Sequence, residues 1–413
     1  MRAGPIRVLV VDDSAVIRKL VTEALQADEM IEVVGAARNG AVAVEKVAEL
    51  APDAVTMDVE MPVMNGIEAV KVIRRAHRRL PIIMFSTLTE RGASATMDAL
   101  YAGASDYVTK PSNVTGFQQA LDNIREELVP KLKALTGRTG PPTPPAPPSG
   151  APHGRGPHAP AGAPGPAVLP RQEAGRAPAA PVAAVRPPGP RPTAFRALLI
   201  GSSTGGPDAL AKVLSALPAM LPVPILAVQH MPPLFTRLLA ERLNAVCAFP
   251  VHEAEDGMEV VAGQMYLAAG GKHMEVLSRG GRVSLSLTEA PPENFCRPAV
   301  DVTFRTALAA YGNALLSVVL TGMGRDGEQG CRQIHAAGGT VFAQDEATSV
   351  VWGMPGAVTN AGVADKVLPL ESVAGEISAA LSRTPMPMPT GMPATGVPAA
   401  SAPTTTMPLS GSR

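Results

Sequence analysis

Net charge, paired cysteines and long apolar runs are all missing from this sequence. Its 36 Lys and Arg balance 36 Asp and Glu, giving a formal net charge of zero at pH 7. Nothing in that balance draws the chain to nucleic acid or to an anionic membrane surface. Only three cysteines occur, Cys247, Cys296 and Cys331. None pairs at metal-ligand spacing, and an odd scatter reads as reduced thiols in a cytosolic protein. No stretch approaches membrane-spanning length, so membrane insertion is not expected. The first apolar run, Ile6 to Val11, ends in two aspartates and lacks the layout of a signal peptide. A soluble, cytoplasmic protein is expected, and 413 residues leave room for two or three domains.

Proline is what the chain has in excess, and it is concentrated. Residues 141–192 hold 18 prolines, one leucine and one acidic residue, with no isoleucine, methionine or aromatic residue. Such a segment cannot bury enough apolar surface to offset the entropy of ordering. A disordered linker over 137–194 is expected, as a spacer in preference to an SH3-type ligand. As a flexible coil it would span roughly 40 Å, and as a stiff polyproline form about 160 Å. Residues 384–413, rich in Met, Pro, Thr and Ser without an amphipathic period, are expected to form a disordered tail.

Residues 1–136 alternate strand-like and helix-like segments. Apolar runs fall at Ile6–Val11, Ile31–Gly35, Ala54–Met57, Pro81–Phe85 and Ser105–Val108, with helix-period segments such as Ser14–Ala27 and Gly66–Arg75 between them. That alternation predicts an α/β fold with a doubly wound parallel sheet, its site at the carboxyl ends of the strands. Asp12 and Asp13 close the first strand, Asp58 the third, Ser86 the fourth and Lys110 the fifth. Three carboxylates converging on one edge repel unless a hard cation sits among them, and Mg²⁺ suits that role. A lysine opposite supplies a point charge for a phosphoryl group. A turn or a helix cap is the ordinary role of any one such Asp; all five positions at strand ends favour a site.

These residues stand in the stretches Val11-Asp-Asp-Ser14, Met57-Asp-Val-Glu-Met-Pro62 with Gly66, and Tyr107-Val-Thr-Lys-Pro111. In that combination residues 1–130 resemble a response-regulator receiver domain, a flavodoxin-like fold. The resemblance implies that Asp58 accepts a phosphoryl group from a histidine kinase. It further implies that Asp12, Asp13, Asp58 and the backbone carbonyl of Glu60 hold Mg²⁺. Lys110 and Ser86 would sense the acyl phosphate, with Tyr107 as the switch aromatic.

Residues 195–383 form a second alternating region. Strand-like runs occur at Ala197–Ile200, Pro224–Gln229, Gln264–Ala268, Val283–Leu287, Ala314–Leu320 and Thr340–Ala343. Helix candidates include Leu234–Asn244, Arg297–Tyr311 and Gly327–Ala337, so a second, mainly parallel sheet is expected. Its first strand runs into Gly201-Ser-Ser-Thr-Gly-Gly206, followed by Pro207 and Asp208. Gly201-Ser202-Ser203-Thr204-Gly205 fits a nucleophile elbow centred on Ser203, with Ser202 as its rival. A phosphate cradle would need a Lys after the glycines, and none follows. The base should come from the same sheet edge, where His230 ends an apolar strand; His273, after Gly270-Gly271-Lys272, is a second candidate. His252 and His335 read as solvated or packing residues. Asp326 closes a further strand and would orient the imidazole, although it could equally cap the helix that follows.

The order Ser203, His230, Asp326 disfavours the lipase-type hydrolases, which run Ser, acid, His. Residues 195–372 closely resemble the catalytic domain of the chemotaxis protein-glutamate methylesterases, the CheB family, a Rossmann-like fold. The matching stretches are Gly201–Gly206, Val228-Gln-His-Met231 with Phe235-Thr236, Cys296-Arg-Pro298 with Val300-Asp-Val302, Leu320–Gly327 and Ala343–Pro355. The resemblance implies hydrolysis of glutamyl γ-methyl esters on chemoreceptors, with deamidation of selected glutamines, and no cofactor for the esterase. Carried over residue by residue, the triad is Ser203, His230 and Asp326, with Thr204 and Met323 as the expected oxyanion donors. Docking of the unphosphorylated receiver over the cleft is the expected control. A transcription factor would need a compact basic module after the linker, which αβ alternation does not provide. A non-enzymatic adaptor would not need an intact Ser, His and Asp set.

Overall fold

The computed structural model describes residues 4–111, 116–138 and 191–385. The greater part of the proline-rich segment and of the C-terminal tail, 139–190 and 386–413, lies outside the described residues.

In the N-terminal domain five short apolar runs become strands β1 (Ile6–Val11), β2 (Ile31–Ala37), β3 (Ala54–Asp58), β4 (Ile82–Ser86) and β5 (Asp106–Thr109). Helices α1 (Ala15–Gln26), α2 (Gly40–Leu50), α3 (Gly66–Ala76), α4 (Glu90–Tyr101) and α5 (Phe117–Leu135) alternate with them. The sheet is parallel, in the order β2-β1-β3-β4-β5, with helices covering both faces. β1, β3 and β4 are apolar almost throughout because both of their faces are covered. Helix starts follow local chemistry: Ser14 accepts from the Ile17 N–H, and Asn65 with Glu68 forms a capping box. Gly66 tolerates no side chain, since a Cβ there would lie 2.1 Å from the Asp58 carbonyl oxygen.

The C-terminal domain opens with β6 (Ala197–Ser202), α6 (Gly206–Ser215), β7 (Ile225–Gln229) and α7 (Pro233–Val246). Strands β8 (Val251–Glu253), β9 (Met265–Leu267), β10 (His273–Arg279) and β11 (Arg282–Thr288) follow. The chain then forms α8 (Val300–Tyr311), β12 (Leu315–Val319), α9 (Glu328–Ala337) and β13 (Thr340–Gln344). It ends in α10 (Met354–Asn360), β14 (Lys366–Leu368) and α11 (Leu370–Leu381). Seven strands make a parallel sheet in the order β14-β13-β12-β6-β7-β9-β8. The strand order reverses at β6, which is where a crevice opens at the carboxyl ends of an open α/β sheet.

Two expectations are corrected here. Val283–Leu287 belongs to β11, which pairs antiparallel with β10 in a separate hairpin and not with the parallel sheet. Its alternation of buried and exposed residues suits a hairpin with one face covered. The segment around His252, expected to be solvated, is the edge strand β8, with Val251 buried.

One apolar cluster continues from the N-terminal domain into the C-terminal one. Met97, Leu100 and Tyr107 belong to the same buried cluster as Phe235, Leu239 and Ala240. The Tyr107 and Phe235 rings stack with centroids 4.5 Å apart and planes 13° from parallel. α4 lies against α7, with Arg242 bonded to Asp98 at 2.6 Å and its guanidinium 4.4 Å from the Tyr101 ring centroid. A further pair joins Arg237 to Glu90.

The opposite face of the seven-stranded sheet packs on α8, where Phe304 is among the largest buried side chains. Phe304→Ala is expected to destabilise the C-terminal domain by roughly 3–5 kcal/mol. Chemical denaturation of the full chain measures it, and a loss below about 1 kcal/mol would mean that the site is not packed as described.

Candidate active site

Strand pairing brings three distant loops to one rim. In the parallel register Ser202 stands opposite Gln229, and Gly201 opposite Val319. The next residues along these strands, Ser203 and His230, therefore leave the sheet side by side. The loop after β12 carries Thr321 to Asp326 over the same edge.

The elbow is held by bonds that leave Ser203 free. Ser203 N–H donates to the Thr321 carbonyl at 3.0 Å, and Gln229 Nε2 donates to the Ser203 carbonyl at 2.9 Å. Thr321 Oγ1 donates to the Thr204 carbonyl at 2.9 Å. Gly205, at φ +75°, takes the left-handed conformation that lets α6 begin immediately behind the turn. A Cβ on Gly206 would lie 1.9 Å from Gln229 Oε1. Ser202, the rival nucleophile, is fully buried and donates to Gln229 Oε1 at 2.7 Å. It therefore fastens the elbow, while Ser203 lines a cavity of about 360 Å³ together with Thr204, His230, Cys296 and Met323. Among the described residues, neither the Thr204 nor the Met323 backbone N–H has an acceptor.

His230 Nε2 lies 2.8 Å from Asp326 Oδ2. Asp326 is buried, and its carboxylate accepts from four further donors. These are Val300 N–H at 2.6 Å, Asp301 N–H at 3.1 Å, Gly327 N–H at 3.0 Å and Asn294 Nδ2 at 2.8 Å. Burial alone would favour the neutral acid, but the bonds from His230 and these amides hold its pKa below the usual carboxylate value. Asp326 thus meets the amino end of α8 and does more than start the helix that follows it. The same balance moves the His230 pKa upward. Burial disfavours the imidazolium, yet the bonds to Asp326 and Cys296 outweigh it and raise the pKa to about 9. Burial pushes the neighbouring Asp301 carboxyl up to about 6, against the Gly330 amide and with repulsion from Asp326.

No hydrogen bond joins Ser203 Oγ to His230 among the described residues, although such reach was expected. The nitrogen that Asp326 leaves open, Nδ1, instead has Cys296 Sγ at 3.4 Å. Cys296 reaches it from a tight turn in which Asn294 and Phe295 both have positive φ, 52° and 63°. Asn294 Nδ2 pins this turn to Asp301 and Asp326. His273, the other base candidate, is buried elsewhere, between the Pro291 carbonyl and the Ala299 N–H. His252 bonds Gln264, and His335 lies on α9 beside Asp365.

At the N-terminal domain's rim, Lys110 Nζ is 2.8 Å from both Asp12 Oδ2 and Asp58 Oδ1. Burial raises the Asp58 pKa to about 6; the Lys110 bond opposes this and the Asp12 charge adds to it. Ligand atoms of Asp12, Asp13 and Asp58 lie within 4.8 Å of one another, an all-oxygen set that fits Mg²⁺. Ser86 Oγ bonds the Gly92 carbonyl at 3.1 Å and the Ser86 carbonyl accepts from the Lys110 N–H at 2.6 Å, while the Glu60 side chain turns out to Arg91.

The two rims meet. Asp106, Tyr107, Leu100 and Lys131 line the same cavity as Ser203 and His230. Thr204 Oγ1 donates to Asp106 Oδ2 at 2.7 Å, and Lys131 Nζ holds that oxygen at 3.1 Å. Sequence reasoning assigned no role to Asp106, Gln229, Asn294, Cys296, Asp301 or Phe235. Gln229, Phe235, Cys296 and Asp301 did stand in the stretches that carry the family resemblance, which was the available signal.

Comparison with known proteins agrees with this division. Residues 198–377 match the family model for CheB methylesterase, and residues 8–122 match that for the response regulator receiver domain. A protein-glutamate methylesterase/protein-glutamine glutaminase of a Nocardioides species is 52% identical over 378 residues, covering 92% of this chain and 96% of that one. A protein of the same name from Trichodesmium erythraeum is 43% identical over 371 residues, covering 90% and 97%. The solved catalytic domain of Thermotoga maritima CheB methylesterase is 43% identical, with a TM-score of 0.44, covering 45% of this chain and 97% of that one. With such identity along nearly the whole length of its relatives, the chain belongs to the CheB family of protein-glutamate methylesterases/protein-glutamine glutaminases.

Proposed function

We propose that this chain demethylates glutamyl γ-methyl esters and deamidates glutamines on chemoreceptors through Ser203, His230 and Asp326, under the control of Asp58. The observation that carries the residue assignment is one cavity lined by Ser203 and His230, with Asp326 bonded to the far nitrogen of the ring. Asp326 accepts a hydrogen bond from Nε2–H, which leaves the Nδ1 lone pair as the base. Ser203 Oγ attacks the ester carbonyl carbon while Nδ1 takes its proton, then returns it to the departing methoxide, releasing methanol. With glutamine, ammonia leaves instead. Water then cleaves the acyl-serine by the same proton traffic. The unpaired Thr204 and Met323 amides are suited to stabilise the oxyanion. No cofactor is needed for these steps.

The chain is assigned a receiver at 1–136, a linker at 137–194, a catalytic domain at 195–383 and a tail at 384–413. In the receiver Asp58 is the phosphoryl acceptor, the donor being a chemotaxis histidine kinase. Asp12, Asp13, Asp58 and the Glu60 carbonyl would hold Mg²⁺, which when bound supplies charge neutralisation to the transferring group. Lys110 leaves the paired carboxylates for a phosphoryl oxygen, and Ser86 turns from the Gly92 carbonyl to another. No described helix is long and apolar enough to cross a membrane, and a cytoplasmic site of action follows from the chemistry of a kinase-fed receiver.

The docked arrangement supports autoinhibition. Asp106 occupies the Thr204 hydroxyl beside the nucleophile, and Tyr107 is packed inward on Phe235. A long tether contributes only modest effective concentration, so this apolar contact supplies most of the docking affinity. Rearrangement at Asp58 that draws Tyr107 away from Phe235 would open the cleft.

Ser203→Ala is expected to lower methanol release from methylated receptor membranes by roughly 10⁴-fold or more. Unchanged release would remove Ser203 as nucleophile. Asp106→Ala takes a charged partner from Thr204 at a cost of about 1.5–3 kcal/mol, so the unphosphorylated full chain should gain roughly ten- to hundredfold in esterase rate. A rate equal to the parent's would sink the docking account. Because the base must be neutral, the esterase rate of the docked chain should rise with pH through about 9. Stability runs oppositely: the contribution of charged His230 is complete below 6.5 and is lost as pH rises through about 9. A pH–rate profile checks this, and an inflection at or below 6.5 in the unphosphorylated chain contradicts it.

A further inference from the structure

The cavity contains a second nucleophile for which ester hydrolysis has no use. Cys296 Sγ lies 3.4 Å from His230 Nδ1, and the other ring nitrogen is tied to Asp326 at 2.8 Å. A thiol, an imidazole and a carboxylate in that order are the arrangement through which a cysteine acts as a nucleophile. A thiol also surrenders its proton to an imidazole far more readily than an alcohol does. Cys296 is half-buried and lines the cavity of about 360 Å³, which is roomy for a small oxidant.

The other two cysteines lack this setting. Cys331 is buried on α9, and burial pushes its thiol well up. Cys247 ends α7, where burial raises its thiol to about 11. Among the described residues neither has an imidazole partner.

We propose that Cys296 is an oxidation site that switches the esterase off, with hydrogen peroxide as the oxidant. When the His230 ring is neutral, its Nδ1 takes the Sγ–H proton, and the thiolate attacks one peroxide oxygen. An S–O bond forms as the O–O bond breaks, and the departing hydroxide takes the imidazolium proton and leaves as water. Sulfur is oxidised by two electrons to the sulfenic acid, and the peroxide is reduced to water. The added oxygen sits beside the nitrogen that must receive the Ser203 proton, so hydrolysis stops until a thiol reductant restores Cys296. Only this loss of activity rests on the roles given above to Ser203 and His230; the oxidation does not.

The test exposes the full chain to hydrogen peroxide with dimedone as the sulfenic-acid trap and reads each cysteine peptide by mass spectrometry. Cys296 should label roughly tenfold or more faster than Cys247 and Cys331. In a parallel sample without dimedone, methanol release should fall over the same time course and return with dithiothreitol. His230→Gln should slow Cys296 labelling roughly tenfold while leaving Cys247 unchanged, a response that a merely exposed thiol would not give. Ser203→Ala should label like the parent, which separates this reading from the assignment of the esterase nucleophile. Labelling of Cys296 no faster than Cys247, or indifferent to His230→Gln, overturns the thiolate. Peroxide sensitivity that persists in the residual activity of Cys296→Ser overturns the switch.

Discussion

A carboxylate taken out of water normally gives up its charge, and Asp326 keeps its charge because five N–H groups surround it. Two come from the first residues of α8, one from Gly327, one from Asn294 and one from the imidazole. The free amides at the start of a helix and its dipole both favour a negative charge there. This single arrangement sets the ring orientation of His230, leaves Nδ1 as its open nitrogen, and anchors the turn that carries Cys296. The rim of the seven-stranded sheet holds together around it.

Coupling to the receiver uses a different kind of contact. The face carrying Leu100, Tyr107 and Lys131 buries apolar surface against α7 and lends Asp106 to Thr204. Apolar burial supplies affinity without direction, whereas the Asp106 bond fixes where the receiver sits over the cleft. The rim that carries Asp58 and the cleft are therefore linked through β5, which carries Asp106 and Tyr107 and leads directly to Lys110. One end of the strand leads to Lys110 beside Asp58, while its other end bonds Thr204.

Much of this was legible in the residues because parallel strands covered on both faces must read as apolar runs. β1, β6, β7 and β12 are of that kind, and the polar residue that ends each run marks the functional edge. The less legible strands were those with another physical basis. β8 is short and lies at the sheet edge, and β10 with β11 forms a hairpin whose amphipathic alternation resembles a strand of any sheet. At the elbow, spacing pointed to Ser203, but only packing separated it from Ser202, whose hydroxyl is spent on Gln229.

From the sequence alone came the two α/β units, the proline-rich segment between them, and the serine, imidazole and carboxylate that end successive strands. These follow from local rules, since hydrophobic period and turn chemistry act over a few residues. Tertiary structure decided what depends on contacts between distant residues. It chose Nε2 as the partner of Asp326, set a thiol beside Nδ1, and laid Tyr107 against Phe235. No period or spacing encodes those choices, because each joins side chains from loops whose approach is fixed only when the sheets have formed.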